Sequence, residues 1–428
     1  MKFKKIFLSL GAVSASVASV SVAVACHPET HENAKIDFKS IRVNSNIWNS
    51  ISAEKDAMTL GQYRSAQKQF DAMVQGQKTL FDTDKVKVTD KSVTVTNPET
   101  GKAIPVVFMD IDETILNNFG YQNYLTANGL SFSPKTWHQF VTDEVSTAIA
   151  GAIDFIKYVW NHGGVVMYNS NRDQATELDA TISNLEKAGL DAKYLPKWAF
   201  WMQGVDLSNA KPWTAIDKTK VKDSNGNVVK EKVTVTEKQA DGSEKTAEKE
   251  VDKEKVVNSN KEARMNLVNS KGWDLSGENS DNGSFGNNVA LKTVMRIGDN
   301  FDDFNDIASH GLLNINQNKE KDKKQDRKGV LEQTDKLFGN FDVNVKGVMF
   351  TKDDNGNPVA SNEAWSESYV LIGGNSSYGG FESGIMKDYY KNVATKPNDA
   401  QKAIYEALKP FTWDPNKKAN ETTQNKAK

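Results

Sequence analysis

Residues 104–114 read Ile-Pro-Val-Val-Phe-Met-Asp-Ile-Asp-Glu-Thr, so a short apolar run ends in two closely spaced carboxylates. The same change from apolar to polar follows residues 164–168, which lead into Asn-Ser-Asn-Arg, and residues 289–297, which lead into Gly-Asp-Asn. Apolar runs of this length are typical of strands buried on both faces of a parallel sheet. We therefore predict an α/β fold with an open parallel sheet, flanking helices and a ligand site at the carboxyl ends of the strands.

Helical and turn patterns surround these strands. Apolar residues recur at helical spacing in residues 45–75, 148–160 and 400–408. Alternating Lys, Glu, Val and Thr with turn signals in residues 217–257 indicates an inserted, solvated β-hairpin. Residues 353–357, Asp-Asp-Asn-Gly-Asn, are interpreted as a turn, because the bidentate glutamate of a calcium loop is missing at the required spacing.

Asp110 and Asp112 follow the first strand and are the strongest chemical signal in the chain. Two carboxylates at such an edge repel each other, and a magnesium ion offsets that repulsion with the oxygen ligands that it prefers. In that setting Asp110 can attack phosphorus, while Asp112 protonates the leaving oxygen and later deprotonates a water. Taken alone, the same five residues are equally compatible with a strand-end turn in which Thr114 caps a helix.

Further groups supply what phosphoryl transfer needs, namely donors for the phosphoryl oxygens and positive charge. Ser170 follows the second strand, Lys261 lies in a polar run, and Asp299 follows the third strand, where it can bind the metal. Asp303 can orient Lys261 or a water on the metal. Individually, Lys261 is one lysine among many, and residues 298–304 are compatible with a solvated acidic loop. Together, the groups occur in the order and at the sheet edge that one mechanism requires.

This order of groups resembles the haloacid dehalogenase superfamily, and residues 106–173 resemble the class C bacterial acid phosphatases, surface lipoproteins also described as 5′-nucleotidases. The resemblance rests on Asp110 to Thr114, Trp137, Gly151-Ala152, Ser170 to Arg172, and residues 261–264, 298–304 and 369–382. It implies a Rossmann-like sheet, an aspartate nucleophile that works with Mg²⁺, and a homodimer. It also implies a helical cap formed by residues 40–85 and 119–147.

The resemblance assigns a role to each matching position. Asp110 is implied as the nucleophile and Asp112 as the general acid/base. The implied metal ligands are Asp110, the backbone carbonyl of Asp112, and Asp299. Asp303 is implied as a residue that orients neighbouring groups without binding the metal directly. The implied phosphate contacts are Ser170, Asn171 and Lys261, and the implied substrate contacts are Trp137, Tyr378 and Arg172.

One segment departs from the family pattern. In that family an aromatic residue at the Trp137 position and the tyrosine of an Asn-Pro-x-Tyr-Gly segment hold a nucleobase or nicotinamide. Residues 374–379 here read Gly-Asn-Ser-Ser-Tyr-Gly, so Tyr378 is kept and the proline is replaced. The departure bears on nucleotide preference more than on catalysis. Without the resemblance, core or lid packing is the simpler interpretation of both rings.

Residues 1–25 are interpreted as a secretory signal peptide, with a basic start, an apolar stretch and small residues before Cys26. The alternative is a transmembrane helix, but five serines interrupt the apolar run. Ala23 to Cys26 resemble a bacterial lipobox, which implies a lipid on Cys26 and an extracytoplasmic protein anchored to the cell membrane. The expected remainder is a tether (residues 26–39), a phosphatase domain (residues 40–410) and a disordered tail (residues 411–428).

Composition argues against several other classes of protein. The formal net charge at pH 7 is −2, so no nucleic-acid polymer is expected as a partner. Cys26 is the only cysteine, so no disulfide can form within the chain. The five histidines show no zinc-binding spacing, and the chain has no Gly-x-x-x-x-Gly-Lys loop.

We predict a magnesium-dependent acid phosphatase that hydrolyses small phosphomonoesters, such as nucleoside monophosphates or NMN, through a phospho-aspartate. Sugar phosphates, or a phosphate acceptor other than water, are alternatives within the same chemistry. A different class of function is a surface-binding lipoprotein, an adhesin or a nucleotide binder, that keeps the fold but turns over weakly or not at all. Turnover of a chromogenic phosphate ester with and without chelator distinguishes these classes.

Overall fold

The structure is a computed structural model. It describes residues 38–207, 216–238, 243–257, 259–275, 288–300, 303–304, 338, 343–373 and 395–408. Residues 37–400 form one compact unit, and the second unit consists of residues 1–36 and 401–428, of which residues 401–408 are described as the end of a helix. No helix in the described ranges has the length and hydropathy needed to cross a membrane. The predicted signal peptide, Cys26 and the tail beyond residue 408 lie outside the described residues.

The helices are α1 (Phe38–Ile51), α2 (Ala53–Gly76), α3 (Phe119–Asn128), α4 (Pro134–Thr142), α5 (Ala152–Asn161), α6 (Gln174–Lys187), α7 (Lys261–Lys271) and α8 (Pro397–Leu408). The strands are β1 (Val86–Val88), β2 (Val93–Val95), β3 (Ile104–Met109), β4 (Leu116–Asn117), β5 (Thr147–Ala148), β6 (Val165–Asp173), β7 (Phe200–Gln203), β8 (Lys218–Lys220), β9 (Lys230–Lys238), β10 (Glu244–Asp252), β11 (Glu254–Val256), β12 (Leu291–Gly298), β13 (Val343–Lys352) and β14 (Pro358–Leu371).

The central sheet has six strands in the order β13-β14-β12-β3-β6-β7. Neighbouring strands from β14 to β7 are parallel, and β13 adds an antiparallel edge. All three predicted strands are present, and β3 lies in the middle with every residue buried. Met109 is the Cα partner of both Tyr168 and Ile297, so β6, β3 and β12 end side by side. The predicted α/β architecture is therefore confirmed, with the polar strand ends on one edge.

Helix α5 covers one face of this sheet with an apolar stripe. Phe155, Ile156, Val159 and Trp160 are fully buried, at the spacing of one helical face. Each such side chain contributes roughly 1.5–3 kcal/mol when it leaves water. The stripe therefore holds α5, and with it the loop that precedes it, against the sheet.

The predicted amphipathic segment at the amino terminus forms two helices. Ser52 separates them and caps α2, because its hydroxyl accepts a hydrogen bond from the Lys55 amide (3.3 Å). Tyr63, Phe70 and Met73 recur at helical spacing and are buried in the core. Helix α2 thus packs on the α/β core, and its role as part of a cap stays a prediction.

Between β7 and α7 the chain forms the predicted insertion. Strand β9 pairs with β10 along its full length, and β8 pairs with β11 below it, both antiparallel. Opposite charges face each other across the exposed hairpin, as in the ion pair of Lys232 with Glu248 (3.3 Å). The inserted, solvated β-hairpin is therefore confirmed, and it leaves the sheet at the carboxyl end of β7.

The segment Asp353 to Asn357 joins β13 to β14 as the predicted tight turn. Asp353 Oδ1 accepts hydrogen bonds from the amides of Asn355 (2.9 Å) and Asn357 (2.8 Å). Gly356 has a φ of +78°, a conformation that glycine adopts without strain. The aspartate is thus used to close the turn.

Candidate active site

Asp110 and Asp112 stand at the end of β3, on either side of a buried isoleucine. The Asp110 amide donates to the Ile297 carbonyl (2.9 Å), so the sheet still holds the backbone at this point. The amides of Ile115 and Leu116 then both donate to the Ile111 carbonyl (2.8 and 2.9 Å), which forms a tight turn. Sheet pairing below and a turn above therefore fix both carboxylates at the strand edge.

The Asp110 carboxylate is buried and contacts two other side chains. Lys261 Nζ donates to Asp110 Oδ1, and Thr114 Oγ1 donates to Asp110 Oδ2 (3.3 Å). The same ammonium donates to Asp303 Oδ1 (2.7 Å). Lys261 is the first residue of α7, which Asn260 caps by accepting from a backbone amide (2.7 Å). One lysine thus bridges two carboxylates that are far apart in the sequence.

Burial raises the pKa of the Asp110 carboxyl well above its ordinary value. The Lys261 ammonium opposes this rise, whereas the neighbouring carboxylates of Asp303 and Asp299 add to it. Burial also acts to lower the pKa of Lys261, but Asp110 and Asp303 outweigh it, so that pKa lies above its ordinary value. The lysine is therefore charged, and its positive charge favours the ionised form of Asp110, against the effect of burial and of the neighbouring carboxylates.

Three carboxylates converge where β3 and β12 end. Oxygen atoms of Asp110, Asp299 and Asp303 all lie within 4.8 Å of one another. The Asn300 amide donates to Asp303 Oδ2 (2.9 Å), which holds this side chain at the edge. Gly298 is required here, because a Cβ atom would overlap the Asp303 carboxylate. This all-oxygen donor set, with one ammonium in contact with it, fits a hard divalent cation.

Asp112 is held through one of its two oxygens. Oδ1 accepts from Arg172 Nε (2.9 Å), Arg172 Nη2 (2.7 Å) and Asn118 Nδ2 (2.6 Å). Oδ2 is contacted by Ser170 Oγ at the longer distance of 3.4 Å. The Asp112 side chain is 20% exposed, whereas that of Arg172 is fully buried. Oδ2 is therefore the oxygen of Asp112 that is available for proton transfer.

Sequence reasoning did not single out Asn118, and it assigned Arg172 to the substrate. The Arg172 guanidinium lies against Asp112, and the side-chain oxygen Oδ1 of Asn118 accepts from Ser146 Oγ (2.6 Å). Substrate contact by Arg172 stays a prediction. No spacing rule relates Asn118 to Asp112, because the contact depends on the turn between them.

Ser170 and Asn171 lie where the second predicted strand ends. Ser170 is buried, and its hydroxyl accepts from the Arg172 amide (3.1 Å), whereas Asn171 is exposed. Arg264 supports this segment from below by donating to Asn169 Oδ1 (3.1 Å) and to the Ser170 carbonyl (2.6 Å). Both predicted phosphate contacts therefore lie on the same edge as the carboxylates, held by a buried arginine to which sequence reasoning gave no role.

Trp137 lies on α4 within an aromatic cluster. Its ring centroid is 5.2 Å from that of Tyr121 and 5.8 Å from that of Phe140. The Arg172 guanidinium carbon lies 5.8 Å from the centre of the Trp137 ring. One arginine thus connects the aromatic cluster with Asp112. Tyr378, the second predicted aromatic contact, lies outside the described residues.

Comparison with known proteins relates part of the chain to one family. Residues 29–211 match the family model described as HAD superfamily, subfamily IIIB (acid phosphatase). The chain is also similar to the solved class C acid phosphatase from Bacillus anthracis, at 19% identity and a TM-score of 0.47, over 88% of this chain and 99% of that one. The tungstate-bound form of the Bacillus anthracis enzyme gives 18% identity and a TM-score of 0.46, over 89% and 100%.

Proposed function

We propose, from the match of residues 29–211 to the acid phosphatases of the HAD superfamily, subfamily IIIB, that the protein is a magnesium-dependent phosphatase. It acts on small monoesters through a phospho-aspartate at Asp110. The chain is a phosphoric monoester hydrolase. The observation that supports a phospho-aspartate mechanism with a metal ion is the buried Asp110 carboxylate, which contacts Lys261 and clusters with Asp299 and Asp303.

In the first half of the reaction, the Asp110 carboxylate attacks phosphorus and the bond to the leaving oxygen breaks. Asp112 donates a proton to that oxygen, and Arg172 holds Asp112 in place for this step. The Lys261 ammonium lies on the nucleophile and balances negative charge as it develops on the phosphoryl oxygens. The product alcohol leaves, and Asp110 carries the phosphoryl group.

In the second half, a water attacks the phosphorus of phospho-Asp110, and the bond to the aspartyl oxygen breaks. Asp112, now ionised, takes the proton of that water. Inorganic phosphate leaves, Asp110 is again a carboxylate and Asp112 is again protonated. Ser170 and Asn171 supply hydrogen-bond donors for the phosphate oxygens throughout.

The proposed metal ligands are Asp110, Asp299 and the backbone carbonyl of Asp112, with Asp303 supporting them. A bound Mg²⁺ supplies positive charge that offsets the repulsion among these carboxylates and the phosphoryl oxygens. Lys261 by itself provides one positive charge to the buried pair Asp110 and Asp303. The imbalance of charge within the cluster supports the requirement for a divalent cation.

The proposed substrates are nucleoside monophosphates or NMN. The partly exposed Trp137 ring beside Arg172 offers a planar surface for a base or a nicotinamide, at the side of the site where Asp112 lies. Tyr378 is proposed as the second aromatic contact. We further propose that the mature protein is anchored outside the cell membrane through a lipid on Cys26 and forms a homodimer.

Release of inorganic phosphate tests this function. We expect the full-length chain in detergent to release phosphate from AMP, NMN and an aryl phosphate with magnesium, and to stop with EDTA. Asp110→Asn should lower kcat by at least about a thousandfold, because the nucleophile is lost. Asp179→Asn is the matched control, since its side chain is 84% exposed. No turnover of any ester from acidic to neutral pH would contradict the proposal and favour a surface-binding lipoprotein.

A further inference from the structure

Helix α2 contacts the edge of the sheet on which the active site lies, although none of its residues takes part in the reaction proposed above. Tyr63 Oη donates to the Thr114 carbonyl (2.6 Å), within the turn that follows β3. Gln62 Nε2 donates to the Leu371 carbonyl (3.0 Å), and Lys55 Nζ donates to the Gly373 carbonyl (2.7 Å). Three side chains of one helix thus hold the backbone at two places on this edge, the turn after β3 and the end of β14 with the residues that follow it.

The Tyr63 hydroxyl has a fixed position. The side chain is 1% exposed, and its ring centroid lies 5.6 Å from that of Phe155 on α5. On another side the ring lies against Gly151, where a Cβ atom would come within 3.1 Å of Tyr63 Cβ. The phenol therefore cannot turn away from the Thr114 carbonyl without disturbing the packing of α2 on α5.

Thr114 passes this constraint to the nucleophile. Its backbone carbonyl accepts from Tyr63, and its side-chain hydroxyl donates to Asp110 Oδ2 (3.3 Å). Thr114 and Asp110 are both buried, so neither contact can be replaced readily by water. Lys261 holds the other oxygen, Oδ1. The direction of the Asp110 carboxylate is thus set by Lys261 on one oxygen and by the pair Tyr63 and Thr114 on the other.

We propose that Tyr63 is a positioning residue for the nucleophile, and that it acts through Thr114 to aim the Asp110 carboxylate at phosphorus. The inference rests on the proposed function and adds to it a residue from the amino-terminal helix. Loss of the hydroxyl removes no charge from the site and no contact of Asp299, Asp303 or Asp112. It should therefore slow attack by Asp110 without weakening binding of the phosphate ester.

Tyr63→Phe removes this hydroxyl and keeps the ring. We expect kcat to fall by about tenfold or more while KM stays within about twofold, because only the aim of the nucleophile changes. In rapid-quench measurements, formation of the phospho-enzyme should slow, whereas its hydrolysis, which depends on Asp112, should change by less than about twofold.

Tyr168→Phe is the matched control. Tyr168 is fully buried, and its hydroxyl also donates to a backbone carbonyl, that of Tyr194 (2.9 Å). Both variants lose one buried hydrogen bond, so we expect similar decreases in melting temperature. Only Tyr63→Phe should lower kcat when both are assayed well below their melting temperatures. Equal losses of kcat would reduce the role of Tyr63 to stability and overturn the inference.

A double-mutant cycle tests the route through Thr114. In a Thr114→Val background, Tyr63→Phe should lower kcat by less than about twofold further, because the link to Asp110 is already broken. Independent, multiplicative losses would show that Tyr63 does not act through Thr114 and would overturn the inference. A wild-type kcat retained in Tyr63→Phe would overturn it while leaving the proposed function intact. Absence of turnover in the wild-type chain would overturn both.

Discussion

Asp112 uses its two oxygens for different tasks. Oδ1 accepts three charge-assisted or amide hydrogen bonds from Arg172 and Asn118, which hold the carboxylate plane. Oδ2 has the long contact to Ser170, and the Asp112 side chain as a whole is 20% exposed. A general acid/base needs one oxygen held still and the other accessible to the leaving group. The fork of Arg172 provides this separation, because both of its donors bind the same oxygen.

Lys292 shows how the core accommodates a single charge. It interrupts the apolar run of β12, yet the residue is only 1% exposed. Its ammonium lies 5.8 Å from the centre of the Phe81 ring and 5.5 Å from that of Trp365. Burial lowers the pKa of Lys292 to about 8, and Glu363 opposes this effect. The buried charge therefore costs stability at neutral pH.

The lowered pKa of Lys292 predicts how the stability of the protein depends on pH. Between about pH 8 and about pH 10.4 the unfolded chain binds the proton that folded Lys292 has lost, so this residue makes stability rise with pH across that window. Lys292→Met keeps the packing volume and removes the charge. We expect it to raise the free energy of unfolding at pH 7 by about 1–3 kcal/mol. It should also flatten the increase of stability with pH between about pH 8 and about pH 10.4.

Urea unfolding of Lys292→Met at a series of pH values measures both effects. The matched control is Lys232→Met, because the Lys232 side chain is 73% exposed on the hairpin. That variant should remain within about 0.5 kcal/mol of the wild type. A destabilised Lys292→Met protein would instead mean that the contacts of the ammonium with the two rings outweigh its desolvation.

At the scale of elements, the described residues of the hairpin of β9 and β10 lie outside the buried core. Its charged side chains pair across the strands, and apart from a few partly buried residues it is exposed. Beneath it, the Lys253 amide donates to the Val229 carbonyl (2.8 Å), and the Val229 amide donates to the Val221 carbonyl (2.9 Å). The Val221 amide in turn donates to the Lys253 carbonyl (2.8 Å). The base of the insertion therefore has pairing of its own.

Removal of the hairpin tests this independence. Lys230 and Asp252 are already Cα partners, so an Asn-Gly turn in place of residues 231–251 closes the strands with suitable geometry. We expect the melting temperature, followed by circular dichroism, to stay within about 3 °C of the wild type, because little apolar surface is lost. A decrease of more than about 10 °C would mean that the hairpin stabilises the core.

At the scale of the whole molecule, the acidic cluster exists only when the sheet is folded. Asp110 follows β3, whereas Asp299 and Asp303 follow β12, and the two strands are neighbours in space but distant in the sequence. A ligand of this cluster binds the native state and not the unfolded chain. Binding must therefore raise the stability of the folded protein.

Magnesium should accordingly raise the melting temperature, and EDTA should reverse the increase. At about 100 times its dissociation constant, the ion adds about 2.7 kcal/mol. Asp299→Asn should remove this dependence, whereas Asp179→Asn, in the exposed part of α6, should keep it. Differential scanning calorimetry measures the effect without any substrate. An equal magnesium shift in Asp299→Asn would place the ion elsewhere.

The sequence by itself determined the strands, the edge on which the site lies, and the identity of its main carboxylates. These features are local, because a buried parallel strand is a continuous apolar run and a polar residue directly after it must lie at the strand end. The insertion and the turn at Asp353 were equally predictable, since turn residues and alternating charges act over a few positions. Asp110, Asp112 and Asp299 can therefore be identified as candidate site residues from the sequence alone.

Only the tertiary structure decided which side chains meet. Lys261 lies 151 residues from Asp110, and the partner of Arg172 is Asp112. The role inferred for Tyr63 likewise depends on how α2 packs across the sheet edge. Local patterns encode the preferences of short segments, whereas a contact between distant residues depends on strand order, register and the burial that those create.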